Sequence, residues 1–120
     1  MSTRRPTVSW HAKPRWRITG SATVALGPGK ADLLEAIDES GSISAAAKAL
    51  GMSYRRAWVL VATMNAAFRE RLVETSPRRR AGAKLSPSGR KVLRLYRRIE
   101  SRSVAAVRRE TTALLRLLAR

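Results

Sequence analysis

The stretch that decides the fold runs from Gly41 to Trp58 and reads Gly-Ser-Ile-Ser-Ala-Ala-Ala-Lys-Ala-Leu-Gly-Met-Ser-Tyr-Arg-Arg-Ala-Trp. Its first half is rich in alanine, leucine and lysine, which are strong helix formers. We expect Ser44 to cap that helix, because a serine hydroxyl accepts a free N–H group of the first turn. Gly51 can adopt the positive φ that ends a helix, and Ser53 is placed to cap the next one. Two short helices joined by a tight turn are typical of a DNA-binding helix-turn-helix.

The charge of the chain is strongly unbalanced. It has 25 lysines and arginines against 8 acidic residues, which gives a formal net charge of +17. Such an excess in a small domain favours a polyanionic partner. A membrane surface is one alternative, but double-stranded DNA agrees better with the helix-turn-helix pattern.

Length and residue usage exclude several classes of protein. With 120 residues, we expect one compact domain with an extra arm or tail. The absence of cysteine excludes disulfides, thiolate metal sites and cysteine nucleophiles. The longest apolar run, Ala57 to Ala62, is too short for a membrane span, and residues 1–20 lack an apolar signal core. We therefore expect a cytoplasmic protein associated with the nucleoid.

Nothing in the sequence predicts catalysis or a cofactor. His11 is the only histidine, and it lies in a segment without periodicity. The run Gly27-Pro28-Gly29-Lys30 lacks the length and spacing of a phosphate-binding loop. We expect neither an enzyme nor a metal-binding protein.

The N-terminal part predicts an arm, a strand and a helix. We interpret residues 1–15 as a flexible basic arm. Residues Trp16 to Leu26 predict one edge strand, and Gly27 to Gly29 a turn. From Lys30 to Glu39, three large apolar residues at helical spacing predict an amphipathic helix. This helix carries half of all the acids, so we expect it to face away from a polyanion.

The second helix of the motif should run from Tyr54 to about Arg71. A spacing of 100° per residue divides it into two faces. The face toward the core should hold Ala57, Leu60, Val61, Met64 and Phe68. The opposite face should hold Arg55, Val59, Ala62 and Ala66. We also expect Trp58 and Met64 to pack in the core rather than form a ligand cage.

Two short strands should follow this helix. Leu72 to Thr75 and Ala83 to Leu85 predict a hairpin, and the basic segment 76–82 predicts its tip. Ser86 and Pro87 then predict a helix start, with serine as the cap and proline at the first helical position. The predicted fold is mainly α with a small β-wing. It comprises a winged helix-turn-helix at 16–86 and a long C-terminal helix at 87–120, which is either continuous or divided in two.

The chain also resembles a known family. The residues that carry the resemblance are Gly-Ser-Ile-Ser at 41–44, Ala47-Lys48, Gly51-Met52-Ser53-Tyr54, Ala57-Trp58, Met64-Asn65, Leu72-Val73, Leu85, Gly89 and Tyr96. Over about residues 16 to 100 the chain is similar to the DNA-binding domain of the molybdate-responsive transcriptional regulator ModE. Regulators of the LysR type share the Gly-Ser-Ile-Ser start and are the nearest alternative.

This sequence departs from the ModE pattern at two points. Arginines occupy the wing at 78–80 where relatives carry glycines, and we expect this chain to lack the C-terminal domains that bind molybdate in that family. The resemblance therefore implies a DNA-binding regulator, without a carried-over effector site, and we expect no small-molecule effector.

Candidate DNA contacts fall into two groups. At the start of the recognition helix are Ser53, Tyr54, Arg55 and Arg56, where an arginine fork can pair with guanine and the hydroxyls can reach phosphates. In the wing are Arg78, Arg79, Arg80 and Lys84, positioned to flank phosphates or a minor groove. The alternatives are that Arg55 and Arg56 are solvated or contact phosphates only, that the Tyr54 ring packs, and that the wing charges are merely solvated.

The C-terminal helix predicts a homodimer. Its apolar stripe includes Val107, Leu114 and Leu118 at mixed three- and four-residue steps. The alternative is that this stripe folds back over the domain's own core. Paired recognition helices would require a roughly palindromic DNA site.

Three functions therefore remain in order of preference. The first is a sequence-specific, dimeric transcriptional regulator. The second is an architectural protein that coats or bends DNA without reading bases. The third is a small sensor that binds an oxyanion at basic groups.

Overall fold

The computed structural model describes residues 8–76 and 82–119. The first element after the N-terminal segment is a β-hairpin. Strand β1 (Ile18–Thr19) pairs antiparallel with β2 (Val24–Leu26). The N–H of Gly20 donates to the carbonyl of Thr23 at 2.8 Å and closes the turn. The expectation of one strand from Trp16 to Leu26 was therefore wrong, because the chain reverses at Gly20.

Helix α1 (Pro28–Ser40) begins earlier than its apolar pattern predicted. The predicted turn at Gly27 to Gly29 is wrong, since Pro28 is the first helical residue and Gly27 precedes it as the cap. Proline suits this position because its missing N–H has no partner in a first turn. The helix ends at Gly41, whose φ of 76° is readily accessible only to glycine.

Helix α2 (Ile43–Ala49) is capped by Ser42 and not, as the sequence suggested, by Ser44. The Ser42 hydroxyl accepts from the N–H of Ala45 at 2.9 Å. Ile43 explains this register, because it is buried and opens the helix, whereas Ser44 is exposed.

Helix α3 (Tyr54–Ala67) is the second helix of the predicted motif. It ends at Ala67 rather than near Arg71, because Phe68 adopts an extended conformation. Beyond it, β3 (Val73–Thr75) and β4 (Ala83–Leu85) pair antiparallel, with Val73 opposite Leu85. The predicted wing strands are confirmed, and residues 77–81 of the tip lie outside the described residues.

The C-terminal part forms two helices, α4 (Pro87–Ala106) and α5 (Arg108–Arg116). The predicted start of α4 is confirmed, since the Ser86 hydroxyl accepts from the N–H of Gly89 at 2.9 Å. Val107, with φ −110° and ψ 18°, separates the two helices. The long helix is therefore divided.

The core lies where α1 packs against α2, α3, α4 and β4. Its largest fully buried side chains are Tyr96, Leu33, Leu34, Ile37, Met64, Leu72, Leu85, Val61 and Val73. Tyr96 joins α4 to the N-terminal segment, because its hydroxyl donates to the carbonyl of Trp16 at 2.6 Å. The fold is the expected mainly α winged helix-turn-helix.

Candidate nucleic-acid interface

The turn between α2 and α3 fixes the angle at which α3 is presented. Gly51 has a φ of 67°, and the N–H of Met52 donates back to the carbonyl of Ala47 at 3.0 Å. Ala47 is almost fully buried, so its small side chain permits the close crossing of the two helices. This turn is the predicted one.

The start of α3 brings four candidate contact residues together. The Ser53 hydroxyl accepts from the N–H of Arg56 at 3.1 Å and so caps the helix. Ser53, Tyr54, Arg55 and Arg56 are all exposed. The N-terminus of a helix carries partial positive charge, and here two guanidinium groups add to it. This end of α3 therefore suits phosphates and the acceptor atoms of bases.

Two aromatic side chains of α3 lie on the surface. Tyr54 is 52% exposed and Trp58 is 39% exposed, and their rings make an edge-to-face pair with centroids 6.2 Å apart. The expectation that Trp58 belongs to the core was wrong, because it lies one position past the buried Ala57, on the flank of the helix. Tyr54 packs against Trp58 rather than into the core. Met64 is fully buried, as predicted.

The face of α3 that points away from the core matches the helical spacing. Arg55, Val59, Ala62 and Ala66 are exposed along it. On the opposite side Ala57, Val61 and Met64 are buried, and Leu60 and Phe68 pack partly buried against them. An exposed helix face that begins with arginine and continues with small or apolar residues can enter a groove closely.

The wing is attached to the helical core at its base. The N–H of Ala83 donates to the carbonyl of Gly41 at 2.9 Å, which ties β4 to the end of α1. Lys84 is exposed on β4, opposite Glu74 on β3. The other predicted wing contacts, Arg78 to Arg80, lie outside the described residues.

Asn65 connects α3 to the wing, a role that sequence reasoning did not identify. Its side-chain oxygen accepts from the N–H groups of Leu72 at 2.9 Å and Val73 at 3.1 Å. Its side-chain nitrogen donates to the carbonyl of Val73 at 3.2 Å. The available signal was asparagine near the end of a helix, where it is a weak helix former with strong backbone-bonding groups.

Two acidic residues of α1, Asp32 and Glu35, lie against α4. Arg97 on α4 forms ion pairs with Asp32 at 2.8 Å, with Glu35 at 3.3 Å and with Glu100 at 2.9 Å. Burial would lower the pKa of the Arg97 guanidinium, but the hydrogen bonds to Asp32 and Glu100 and the charge of Glu35 raise it above its ordinary value. One arginine thus bridges three of the chain's eight acidic side chains.

The part of the chain that the structure describes contains neither a cluster of metal-ligating side chains nor a membrane-spanning helix. Over residues 8–76 and 82–119, no three histidine, cysteine or acidic side chains are grouped closely enough to hold a metal ion. Within these ranges no helix has the length and apolar character needed to cross a membrane.

Comparison with known proteins identifies the relatives of this domain. Residues 30–90 match the family described as bacterial regulatory helix-turn-helix protein, lysR family. The molybdenum-pterin-binding protein MopB of Rhodobacter capsulatus is 41% identical over 78 residues, which cover 63% of this chain and 29% of MopB. The molybdenum transport protein ModE of Azotobacter vinelandii is 40% identical with the same coverage. The chain thus spans about three tenths of the length of these relatives.

A solved structure has the same fold. The DNA-binding domain of CbnR, determined in complex with DNA, is 27% identical and superimposes with a TM-score of 0.59. The alignment covers 72% of this chain and 95% of the CbnR domain. The resemblance to ModE inferred from the sequence is confirmed, and the LysR-type alternative describes the same residues rather than a competing fold.

Proposed function

Because this chain belongs to the bacterial regulatory helix-turn-helix proteins of the lysR family, we propose that it is a sequence-specific transcriptional regulator that binds double-stranded DNA. The observation that carries the proposal is the start of α3. There the Ser53 cap holds Arg55 and Arg56 in an exposed first turn. In a major groove, that turn faces the edges of the bases.

The two groups of basic residues have different parts in this proposal. At least one of Arg55 and Arg56 pairs with guanine O6 and N7, which discriminates between bases by about 1–3 kcal/mol. Ser53 and Tyr54 contact phosphates beside it. The wing, through Lys84 and the arginines at 78–80, adds contacts that strengthen binding to any sequence.

Dimerisation forms a further part of the proposal. On α5 and its flanks, Val107 is 46% exposed, Leu114 is 61% exposed and Leu118 is 39% exposed. A second copy of the chain would cover these side chains and place a second α3 on the DNA. We infer a homodimer that acts in the cytoplasm, on the nucleoid, at a site with approximate two-fold symmetry.

Selection of bound DNA from a random pool tests the proposal. We expect an enriched motif, with guanine among its invariant bases. The net charge of +17 also suits an architectural protein that binds without reading bases. Strong binding without any enriched motif would support that second function and contradict the first.

A further inference from the structure

The outward face of α3 carries one large apolar side chain, Val59. It is 58% exposed and lies between Arg55, one turn before it, and the exposed Ala62 and Ala66 beyond it. Valine is a weak helix former, because its branched Cβ restricts the side chain in a helix. The core does not use this side chain either. Folding therefore gives no reason for valine at this position.

We propose that Val59 contacts the C5-methyl group of a thymine in the major groove. This inference rests on the proposed function, since it assumes that α3 enters the groove. The thymine methyl is the only apolar group on the major-groove edges of the four unmodified base pairs, and apolar side chains recognise it by direct contact. Val59 is thus a specificity-determining residue for thymine, beside the guanine that Arg55 or Arg56 reads.

Helix geometry places a contact of Val59 about two base pairs from a contact of Arg55. Four residues of an α-helix rise about 6 Å and turn about 40° beyond one full turn. Val59 therefore points in nearly the same direction as Arg55, displaced by a distance that corresponds to roughly two base pairs at about 3.4 Å each.

The neighbours of Val59 permit a close approach to the bases. Ala62 and Ala66 add little bulk to the same face, so they do not hold the helix out of the groove. Thr63 stands on the flank, where its hydroxyl donates to the carbonyl of Val59 at 2.8 Å. That hydroxyl is therefore engaged within the helix, and Val59 presents the largest apolar side chain on this face of the helix.

Uracil substitution in the selected motif tests the contact, since deoxyuridine differs from thymidine only by the missing methyl group. Each thymine of the motif is replaced in turn, and the affinities of wild-type protein and of Val59→Ala are measured by fluorescence anisotropy. At one thymine, within about two base pairs of the invariant guanine, we expect uracil to weaken wild-type binding roughly three- to fivefold, the factor for burying one methyl group. Val59→Ala should bind the thymine-containing and the uracil-containing DNA with equal affinity.

The matched control is Val104→Ala, which removes the same atoms from an exposed valine on α4 and should keep the full uracil effect. Circular dichroism checks that Val59→Ala is folded, as its higher helix propensity predicts. Val59→Thr keeps the branched shape and one methyl group, so it should retain part of the effect. If selection enriches a motif but uracil substitution has the same effect on wild type and on Val59→Ala at every thymine, this inference is overturned and the proposed function is not. Absence of an enriched motif overturns the proposed function itself.

Discussion

Gly89→Ala should destabilise the fold strongly, because no side chain has room at this position. A Cβ at Gly89 would lie 2.1 Å from the carbonyl oxygen of Leu72, and ordinary contact begins at 3.4 Å. Helix α4 would have to move by about 1.3 Å. The oxygen cannot easily retreat, because it accepts the N–H of Ser86 at 2.9 Å. Overpacking against backbone costs about 3 kcal/mol, and the helix propensity of alanine offsets up to about 1 kcal/mol.

The assay is urea denaturation followed by circular dichroism, in which we expect a loss of about 2 kcal/mol in the free energy of unfolding. Gly29→Ala is the matched control, since Gly29 lies in the first turn of α1 with no atom within 4 Å of an added Cβ. It should stabilise the protein by about 0.5–1 kcal/mol. If Gly89→Ala proved as stable as Gly29→Ala, the close packing of α4 on the junction between α3 and the wing would be refuted.

Three further predictions concern the wing, the dimer and the connection between α3 and the wing. Replacing Arg78, Arg79 and Arg80 by alanine should reduce the slope of log K against log salt by about one unit for each lost phosphate contact, whereas an unchanged slope would show that the tip does not touch DNA. Leu114→Glu should give a monomer with much weaker DNA binding, since it would bury an unpaired charge between the subunits. Sedimentation of the wild-type protein as a monomer at micromolar concentration would contradict the dimer. Asn65→Ala should lower the free energy of unfolding by about 1–3 kcal/mol, because it leaves the N–H groups of the buried Leu72 and Val73 without this hydrogen-bond partner. Unchanged stability of Asn65→Ala in urea would argue against the role of Asn65 in connecting α3 to the wing.

The elements predicted best were those with strong local signals. Ser53 and Ser86 cap their helices as expected, and Gly51 takes the left-handed conformation that the turn requires. The two faces of α3 followed from helical spacing, since a turn of about 100° per residue separates Ala57, Val61 and Met64 from Val59, Ala62 and Ala66. The wing strands were identified because turn residues and arginines separate two short segments that each contain buried apolar residues.

The errors arose where distant contacts decide between local possibilities. Ser42 and Ser44 are equally good caps in isolation, and the burial of Ile43 selects the first. The end of α3 was placed four residues too late. Helix propensity does not reveal that the Asn65 side chain accepts hydrogen bonds from the N–H groups of Leu72 and Val73, beyond the end of the helix. Trp58 was assigned to the core because of its helical spacing, although its position on the flank of α3 leaves it exposed.

The most direct test of sequence reading compares Arg55→Ala and Arg56→Ala on the selected site and on random DNA at one salt concentration. At least one variant should lose about 1–3 kcal/mol of binding free energy on the selected site and clearly less on random DNA. Arg94→Ala, which removes an exposed arginine from α4, should affect both DNAs alike. Equal losses on both DNAs for both α3 variants would show that these arginines bind phosphates only, and would contradict base recognition by the start of α3.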